Sequence, residues 1–195
     1  MLIDRCLRSF DVTQVCETTI RALPREVYEA MLGTDLRDPL IDALFALREL
    51  PRRISRRLHG QPPVAETSRV TFGDIATGPI WVRLAEEPGV ELVVGSIGRF
   101  WEKDYGWRPI AAEQFAAFQE PGYAKVVLSL AVLPSMAGLT LLRYEARTAT
   151  TDAVAARRFR RYWRLIRPGV VLVMRRALHR IKEQAERRAG VAVPA

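Results

Sequence analysis

Four stretches in the middle of the chain alternate between apolar and polar residues. Their even positions are mostly apolar, and their odd positions carry nearly all of the charge. Because successive side chains of a β-strand point to opposite faces, each stretch predicts a strand with one apolar face. Turn-forming residues lie between the stretches, so the strands should form an antiparallel meander with one buried face. The four predicted strands are 80–85, 90–100, 123–133 and 139–149.

The first third of the chain predicts one more strand followed by two helices. Residues 10–20 are rich in Val and Thr, with apolar residues at alternate positions, which favours a strand. Two segments with helical spacing follow, and in each a proline suits the first helical turn. These predicted helices are 24–32, ended by Gly33, and one that begins at Asp38 and ends before Pro51. The remaining predictions are a loop at 51–65, a short strand at 69–72, and a strand or helical turn at 113–119.

The end of the chain predicts one long amphipathic helix. Thr151 or Asp152 can cap a helix that begins near Ala153, and apolar residues then recur every three or four positions for about thirty residues. The opposite side of this helix carries eleven arginines between 157 and 188. A kink or break is expected at Pro168, because proline removes a backbone hydrogen bond and clashes with the preceding turn.

This order of elements resembles the START-like superfamily, also called SRPBCC. Three stretches carry the resemblance: 12–32, which contains the helix start Ala-Leu-Pro-Arg-Glu-Val-Tyr, 139–147 and 159–169. The resemblance implies an α+β, helix-grip fold, in which a curved antiparallel sheet wraps around a long C-terminal helix. The chain should then be a single domain, 1–195, with a core of about 10–188. An elongated cavity between sheet and helix, holding an apolar or amphipathic molecule, is also implied.

The even strand positions and the apolar stripe of the helix would line such a cavity. Ligand pockets are mostly apolar with a few placed polar groups, and Ser96, Tyr144 and Thr148 are the polar side chains on this predicted face. Tyr144 could donate a hydrogen bond to a ligand. The alternative is that all these side chains pack into a closed core. The candidate ligand-binding residues are Val82, Leu92, Val94, Ser96, Val126, Leu128, Leu130, Leu142, Tyr144, Phe159, Trp163 and Ile166.

Two further groups of residues have more than one interpretation. Trp101, Tyr105 and Trp107 lie in the loop after a predicted strand, where they could gate the cavity, meet a membrane or cap the edge of the sheet. Three charged residues at odd positions of the last strand predict ion pairs on a solvated face. They are Arg143, Glu145 and Arg147.

The composition bounds the chemistry of the protein. The two cysteines, Cys6 and Cys16, are too far apart for a metal or CxxC motif, and Cys16 is expected to be a buried thiol. The two histidines, His59 and His179, lack partners at ligand spacing, so we predict neither a metal site nor a cofactor. The net charge is +8, with 27 Arg and three Lys. Such a skew is typical of GC-rich genomes, and a polyanionic partner is the alternative explanation.

No catalytic motif stands out, so the functional hypotheses rest on architecture. The leading one is non-enzymatic binding of a small hydrophobic ligand such as a lipid, quinone, isoprenoid or polyketide. A polyketide cyclase or dehydratase with scattered polar pocket residues is the second. The third is contact of the Arg-rich helix and loop with an anionic membrane or with nucleic acid, of which nucleic acid is disfavoured. Homodimerisation is left open. The charged N-terminus and the broken apolar stretches predict a cytoplasmic protein.

Overall fold

The computed structural model describes residues 1–36, 71–78, 80–135 and 138–190. The helix predicted from Asp38 and the loop predicted at 51–65 therefore lie outside the described residues. In chain order the elements are α1 (Leu2–Cys6), β1 (Val12–Ile20), α2 (Pro24–Gly33), α3 (Phe72–Thr77), β2 (Val82–Glu87), β3 (Glu91–Gly98), α4 (Ala112–Phe115), β4 (Ala124–Pro134), β5 (Thr140–Thr150) and α5 (Ala153–Arg188).

The five strands form one antiparallel sheet in the order β1-β5-β4-β3-β2. The long helix α5 packs across β1 and β5, and α2 packs against both α5 and the sheet. We call the sheet face that meets these helices the inner face, and the opposite one the outer face. An antiparallel sheet around a long C-terminal helix is the α+β, helix-grip fold that the sequence predicted, and the prediction is confirmed. None of the described helices is long and apolar enough to cross a membrane.

Helix α5 begins where the sequence indicates. The Asp152 carboxylate accepts hydrogen bonds from the backbone N–H groups of Val154 and Ala155, at 2.7 and 2.9 Å. The helix then continues past Pro168 to Arg188, so of the predicted kink or break the break does not occur. Pro168 is exposed, on the side of the helix that faces water. The carbonyl that loses its hydrogen bond can therefore be hydrated, which reduces the cost of a proline inside the helix.

One short segment differs from the prediction, and the structure settles a second one that the sequence left undecided. The described part of the strand predicted at 69–72 is instead the start of α3. There the Thr71 hydroxyl accepts from the backbone N–H of Asp74, and the Asp74 carboxylate accepts from the N–H of Thr71. This reciprocal capping box satisfies two N–H donors at once and favours a helix over a strand. The undecided element at 113–119 contains the short helix α4.

The outer face is not a solvated face. Helix α1 lies against it and buries Ile3, and with Leu7 this segment covers the odd-position side chains Val93, Ile97 and Val127. The core therefore begins near residue 3, well before the predicted start at about 10. In the sequence these odd positions are apolar too, but other odd positions nearby are charged. The charges led to the prediction that this face is exposed to solvent.

A charged cluster anchors the N-terminal segment to the outer face. Glu145 and Arg147 are both buried, and the Arg147 Nε donates to Glu145 at 2.7 Å. Arg147 also pairs with Asp4 at 2.8 Å and donates to the carbonyl of Leu7 at 3.1 Å. The Glu91 carboxylate accepts hydrogen bonds from the N–H of Leu2 and Ile3 and from the Ser129 hydroxyl. The ion pairs predicted on the last strand exist. Arg143 pairs with the exposed Glu17 of β1, as predicted for a solvated face, whereas the pair of Glu145 and Arg147 is buried under the N-terminal segment.

Candidate ligand-binding groove

The register of the sheet arranges the inner-face side chains in rows that run across the strands. One row joins Gln14, Ala146, Leu128 and Val94, because each is paired with its neighbour in the adjacent strand. The rows on either side follow from the same pairing. They are Val12, Thr148, Val126 and Ser96 on one side, and Cys16, Tyr144, Leu130 and Leu92 on the other.

The centre of the inner face remains accessible. Leu128 and Ala146 are only half-buried, although β4 and β5 are interior strands of the sheet. On the outer face of β4, the side chains of Val127 and Ser129 on either side of Leu128 are completely buried. The accessible space at the middle of the sheet is therefore on the inner face. Ala146 contributes only a methyl group there. We call Gln14, Val126, Leu128 and Ala146, all half-buried, the central groove.

One end of the central groove is closed by packed apolar side chains. The row that contains Tyr144 is fully buried and joins the main core, which includes Ile20, Met31 and Ile181. The ring of Tyr144 meets the edge of the Phe72 ring at a centroid distance of 5.5 Å. Residues of α2, α3 and the C-terminal half of α5 supply the rest of this closure.

A buried hydroxyl lies in this closed end. Tyr144 is 7% exposed, and no described residue forms a hydrogen bond with its hydroxyl group. Burial raises the pKa of Tyr144 well above its ordinary value, with the Cys16 thiol as a second and smaller cause. Tyr144 is therefore a protonated donor at neutral pH and a poor general base. An oxygen atom of a ligand or a water molecule could accept a hydrogen bond from this hydroxyl group.

The other end of the central groove is closed by aromatic rings. The Phe159 ring of α5 stacks on Trp163 at 6.0 Å and meets Trp101 at 6.4 Å. Trp101, Tyr105 and Trp107 pack with Phe100 on this end, where the interior strand β3 ends. The Trp101 indole Nε1 is buried and has no hydrogen-bond acceptor among the described residues. This gives the aromatic end an unpaired N–H donor as well.

The structure brings most of the predicted ligand-binding residues to the inner face. Leu92, Val94, Leu128, Leu130, Leu142 and Tyr144 belong to the main core cluster, and Val126, Phe159 and Trp163 belong to the aromatic end. The Ser96 hydroxyl is not free for a ligand as it stands, since it donates to the Ile80 carbonyl at 2.9 Å. Ile166 is half-buried on α5.

The sequence predicts Val82 on the inner face, but the structure places it on the outer face. It pairs with Gly95 and packs with the outer-face cluster, together with Leu84. The cause is a register shift between Arg83 and Ala85. A β-bulge inserts one unpaired residue into a strand. Even-numbered residues on the two sides of the bulge therefore point to opposite faces of the sheet. Trp81, at an odd position, consequently packs against the main core.

Sequence reasoning missed several residues of the site. Gln14 accepts a hydrogen bond from the Arg167 Nε at 3.2 Å, which ties β1 to the helix across the groove. Ala146 is an even-position residue of the strand predicted at 139–149, but its small side chain gives no sign of accessible space. Trp101 was singled out without its unpaired N–H. Only the alternation of β5 could have pointed to Ala146 from the sequence.

Metal-ligating side chains are scattered in the described part of the chain. No group of three His, Cys, Asp or Glu side chains lies close enough there to hold a metal ion. His179 is exposed on α5 and lies 3.3 Å from the Glu183 carboxylate. Cys16 is buried in β1, as predicted, and Cys6 is half-buried in α1.

Comparison with known proteins gives similarity of fold only. No family model matches the sequence, and no curated protein matches it. Protein MLL2253 from Mesorhizobium loti is 16% identical, with a TM-score of 0.41 over 90% of this chain and 98% of that one. Mll3558 from Rhizobium loti is 15% identical, with a TM-score of 0.40 over 87% and 96%. The di-domain ARO/CYC StfQ from the steffimycin biosynthetic pathway is 16% identical, with a TM-score of 0.44 over 94% of this chain and 54% of that one.

Proposed function

We propose that this protein binds a small apolar or amphipathic molecule in the central groove between the sheet and α5. The observation that carries the proposal is the half-buried state of Leu128 and Ala146 on the inner face of the two interior strands β4 and β5. Covering this apolar surface with a ligand would contribute roughly 25 cal/mol per Å². The unpaired N–H donor of Trp101 at one end and the hydroxyl group of Tyr144 toward the other suit a ligand with an oxygen function.

Filling the central groove is expected to abolish ligand binding. The change Ala146→Phe should weaken binding of the neutral fluorescent probe N-phenyl-1-naphthylamine at least about tenfold, because the ring occupies the space that the ligand would take. The measurement is a fluorescence titration, supported by native mass spectrometry of the purified protein and organic extraction of any molecule bound to it.

Ala149→Phe provides the matched control. Ala149 is also half-buried on β5, but it packs with the outer-face cluster. The same substitution at this position should leave probe binding unchanged, and thermal unfolding of both variants would show that they are folded. Equal loss of binding in the two variants, or no binding by the wild-type protein, would contradict a ligand site in the central groove.

One observation favours a second function, an enzyme of the polyketide cyclase type. The Tyr144 hydroxyl stays protonated, so it could donate a hydrogen bond to a substrate carbonyl, although its raised pKa makes it a weak proton donor. Its partners across the sheet on the inner face, Cys16 and Leu130, supply no general base. Binding therefore has the stronger support.

The change Tyr144→Phe separates binding from catalysis. For a binding protein, we expect about a fivefold to tenfold loss of affinity for a long-chain alcohol, since one hydrogen bond is lost. Affinity for the hydrocarbon probe and thermal stability should change little. Turnover of a poly-β-keto substrate by the wild-type protein, lost in Tyr144→Phe, would instead establish the enzyme.

A further inference from the structure

The N-terminal half of α5 presents a basic surface to solvent. Arg157, Arg161 and Arg164 follow one another at positions i, i+4 and i+7, so they form a row along the side opposite the buried Phe159. Arg160 and Trp163 complete the border of a cleft of about 430 Å³ with these three arginines. We call Arg157, Arg158, Arg160, Arg161 and Arg164 the arginine face.

These arginines form no ion pairs among the described residues. No ion pair involves a member of the arginine face, whereas Arg143 and Arg147 are each bound to carboxylates. The sequence contains no Asp or Glu between 153 and 182. The carboxylate at the start of the helix, Asp152, is engaged by the backbone N–H groups of the first helical turn. Five neighbouring guanidinium groups thus repel one another, and the attraction between Arg157 and the Asp152 carboxylate offsets only part of this repulsion.

An apolar side chain projects from the same surface. Leu165 is 81% exposed, and Val154 is 49% exposed. Val154, Arg158, Arg161 and Leu165 lie at positions i, i+4, i+7 and i+11, and therefore form a second row beside the first. Phosphate groups of a nucleic acid would neutralise the arginines but would gain nothing from an exposed leucine. A lipid bilayer with anionic headgroups satisfies both, because Arg binds the headgroups while Leu enters the acyl boundary.

We infer that the arginine face and Leu165 dock the protein on the surface of an anionic lipid bilayer. Helix α5 lies in the plane of the interface, with its buried side held by the sheet and the opposite side turned to the headgroups. Trp163 borders the arginine cleft and also packs with Phe159 at the aromatic end of the groove. Docking in this orientation brings that end of the central groove close to the membrane, although docking itself does not require a ligand in the groove.

Binding to vesicles tests the inference. The full chain is sedimented with vesicles of phosphatidylcholine alone and with vesicles that contain about one third phosphatidylglycerol. We expect binding only to the anionic vesicles, with an affinity that falls as the ionic strength rises. The triple change Arg157→Gln, Arg161→Gln and Arg164→Gln should weaken binding roughly 50-fold or more, because each basic residue at the surface contributes about fivefold.

The matched control removes the same charge from the other half of the helix. Arg175→Gln, Arg187→Gln and Arg188→Gln replace three exposed arginines beyond Pro168 and should weaken binding much less. Leu165→Ser should weaken binding about threefold to tenfold through lost apolar insertion, whereas Val90→Ser, which replaces an exposed side chain in the turn between β2 and β3, should have no effect.

Several outcomes would overturn the inference. Equal binding to the two kinds of vesicle would exclude recognition of an anionic surface. Equal losses in the two triple variants would show that binding depends on net charge alone and not on the position of the arginines. Tighter binding to duplex DNA than to anionic vesicles, lost in the first triple variant and unchanged in Leu165→Ser, would identify a nucleic acid as the partner.

Discussion

Replacing Arg147 by methionine is expected to lower the free energy of unfolding by about 3 kcal/mol, near the lower end for a broken buried ion pair. The guanidinium group is bound to Glu145, Asp4 and the carbonyl of Leu7, and it lies 4.7 Å from the centre of the Phe10 ring. Without it, the buried carboxylate of Glu145 keeps only the partly exposed Arg143 as a cationic partner among the described residues, and the apolar side chain replaces the hydrogen bond that Arg147 donates. The N-terminal segment also loses a main attachment to the outer face. Urea denaturation followed by circular dichroism would measure the change.

Arg143→Met is the matched control for this prediction. Arg143 lies on the same strand and pairs with the same Glu145, but its side chain is 27% exposed, and its other partner, Glu17, is exposed. Its loss should cost about 1 kcal/mol or less, since Glu145 retains Arg147. The double change Arg147→Met and Glu145→Leu should recover much of the stability, because replacing both charges leaves none unpaired. A loss in Arg147→Met no larger than in Arg143→Met would show that the buried cluster does not anchor α1.

Replacing Phe159 by alanine is expected to lower the free energy of unfolding by about 3–5 kcal/mol. Phe159 is 2% exposed, and its ring contacts Trp163, Tyr162 and Trp101. Truncation to alanine leaves a cavity where α5 meets the loop after β3, since rigid aromatic neighbours cannot collapse to fill it. The aromatic signal in near-ultraviolet circular dichroism should fall together with the stability.

Leu165→Ala reports on a position of the same helix that has no packing role. Because Leu165 is exposed, its truncation should change the free energy of unfolding by no more than about 0.5 kcal/mol. Phe159→Leu should fall between the two, because part of the buried volume is kept. If Phe159→Ala loses less than about 1 kcal/mol, the aromatic end is not a packed part of the core, and Phe159 would be better interpreted as a side chain that faces an open groove.

Local alternation in the sequence was sufficient to find most of the inner face. In β3, β4 and β5 the even positions do turn inward, and the register joins Leu92, Leu130 and Tyr144 in one buried row. This worked because a strand has a strict period of two, so one correctly placed apolar residue orients all the others. The same argument failed at Val82, where a single inserted residue in β2 reverses the period and leaves no mark in the composition of the strand.

The burial of the outer face could not be predicted from the local pattern of apolar and polar residues. The charges of Glu145 and Arg147 look like those of a solvated strand, and the first residues of the chain look like a short charged terminus. Burial of these charges depends on the N-terminal segment, which is far away in sequence. Asp4 of α1 pairs with Arg147, and the carbonyl of Leu7, just after α1, accepts a hydrogen bond from it. Long-range pairing of this kind is invisible to a local period, because it joins residues that are about 140 positions apart.

The sequence by itself determined the order of the five strands and of α2 and α5, the capped start of α5, the parity of three inner strands and the arginine side of the terminal helix. All of these follow from local rules: side-chain period, capping residues and charge. Only the tertiary structure decided which part of the inner face stays accessible, which charges are buried and where α1 lies. Accessibility at Ala146 depends on the packing of α5 against the sheet, in which Phe159 is buried in the aromatic cluster and Ile181 in the main core. Packing of this kind combines residues from every part of the chain, so no single segment could have revealed it.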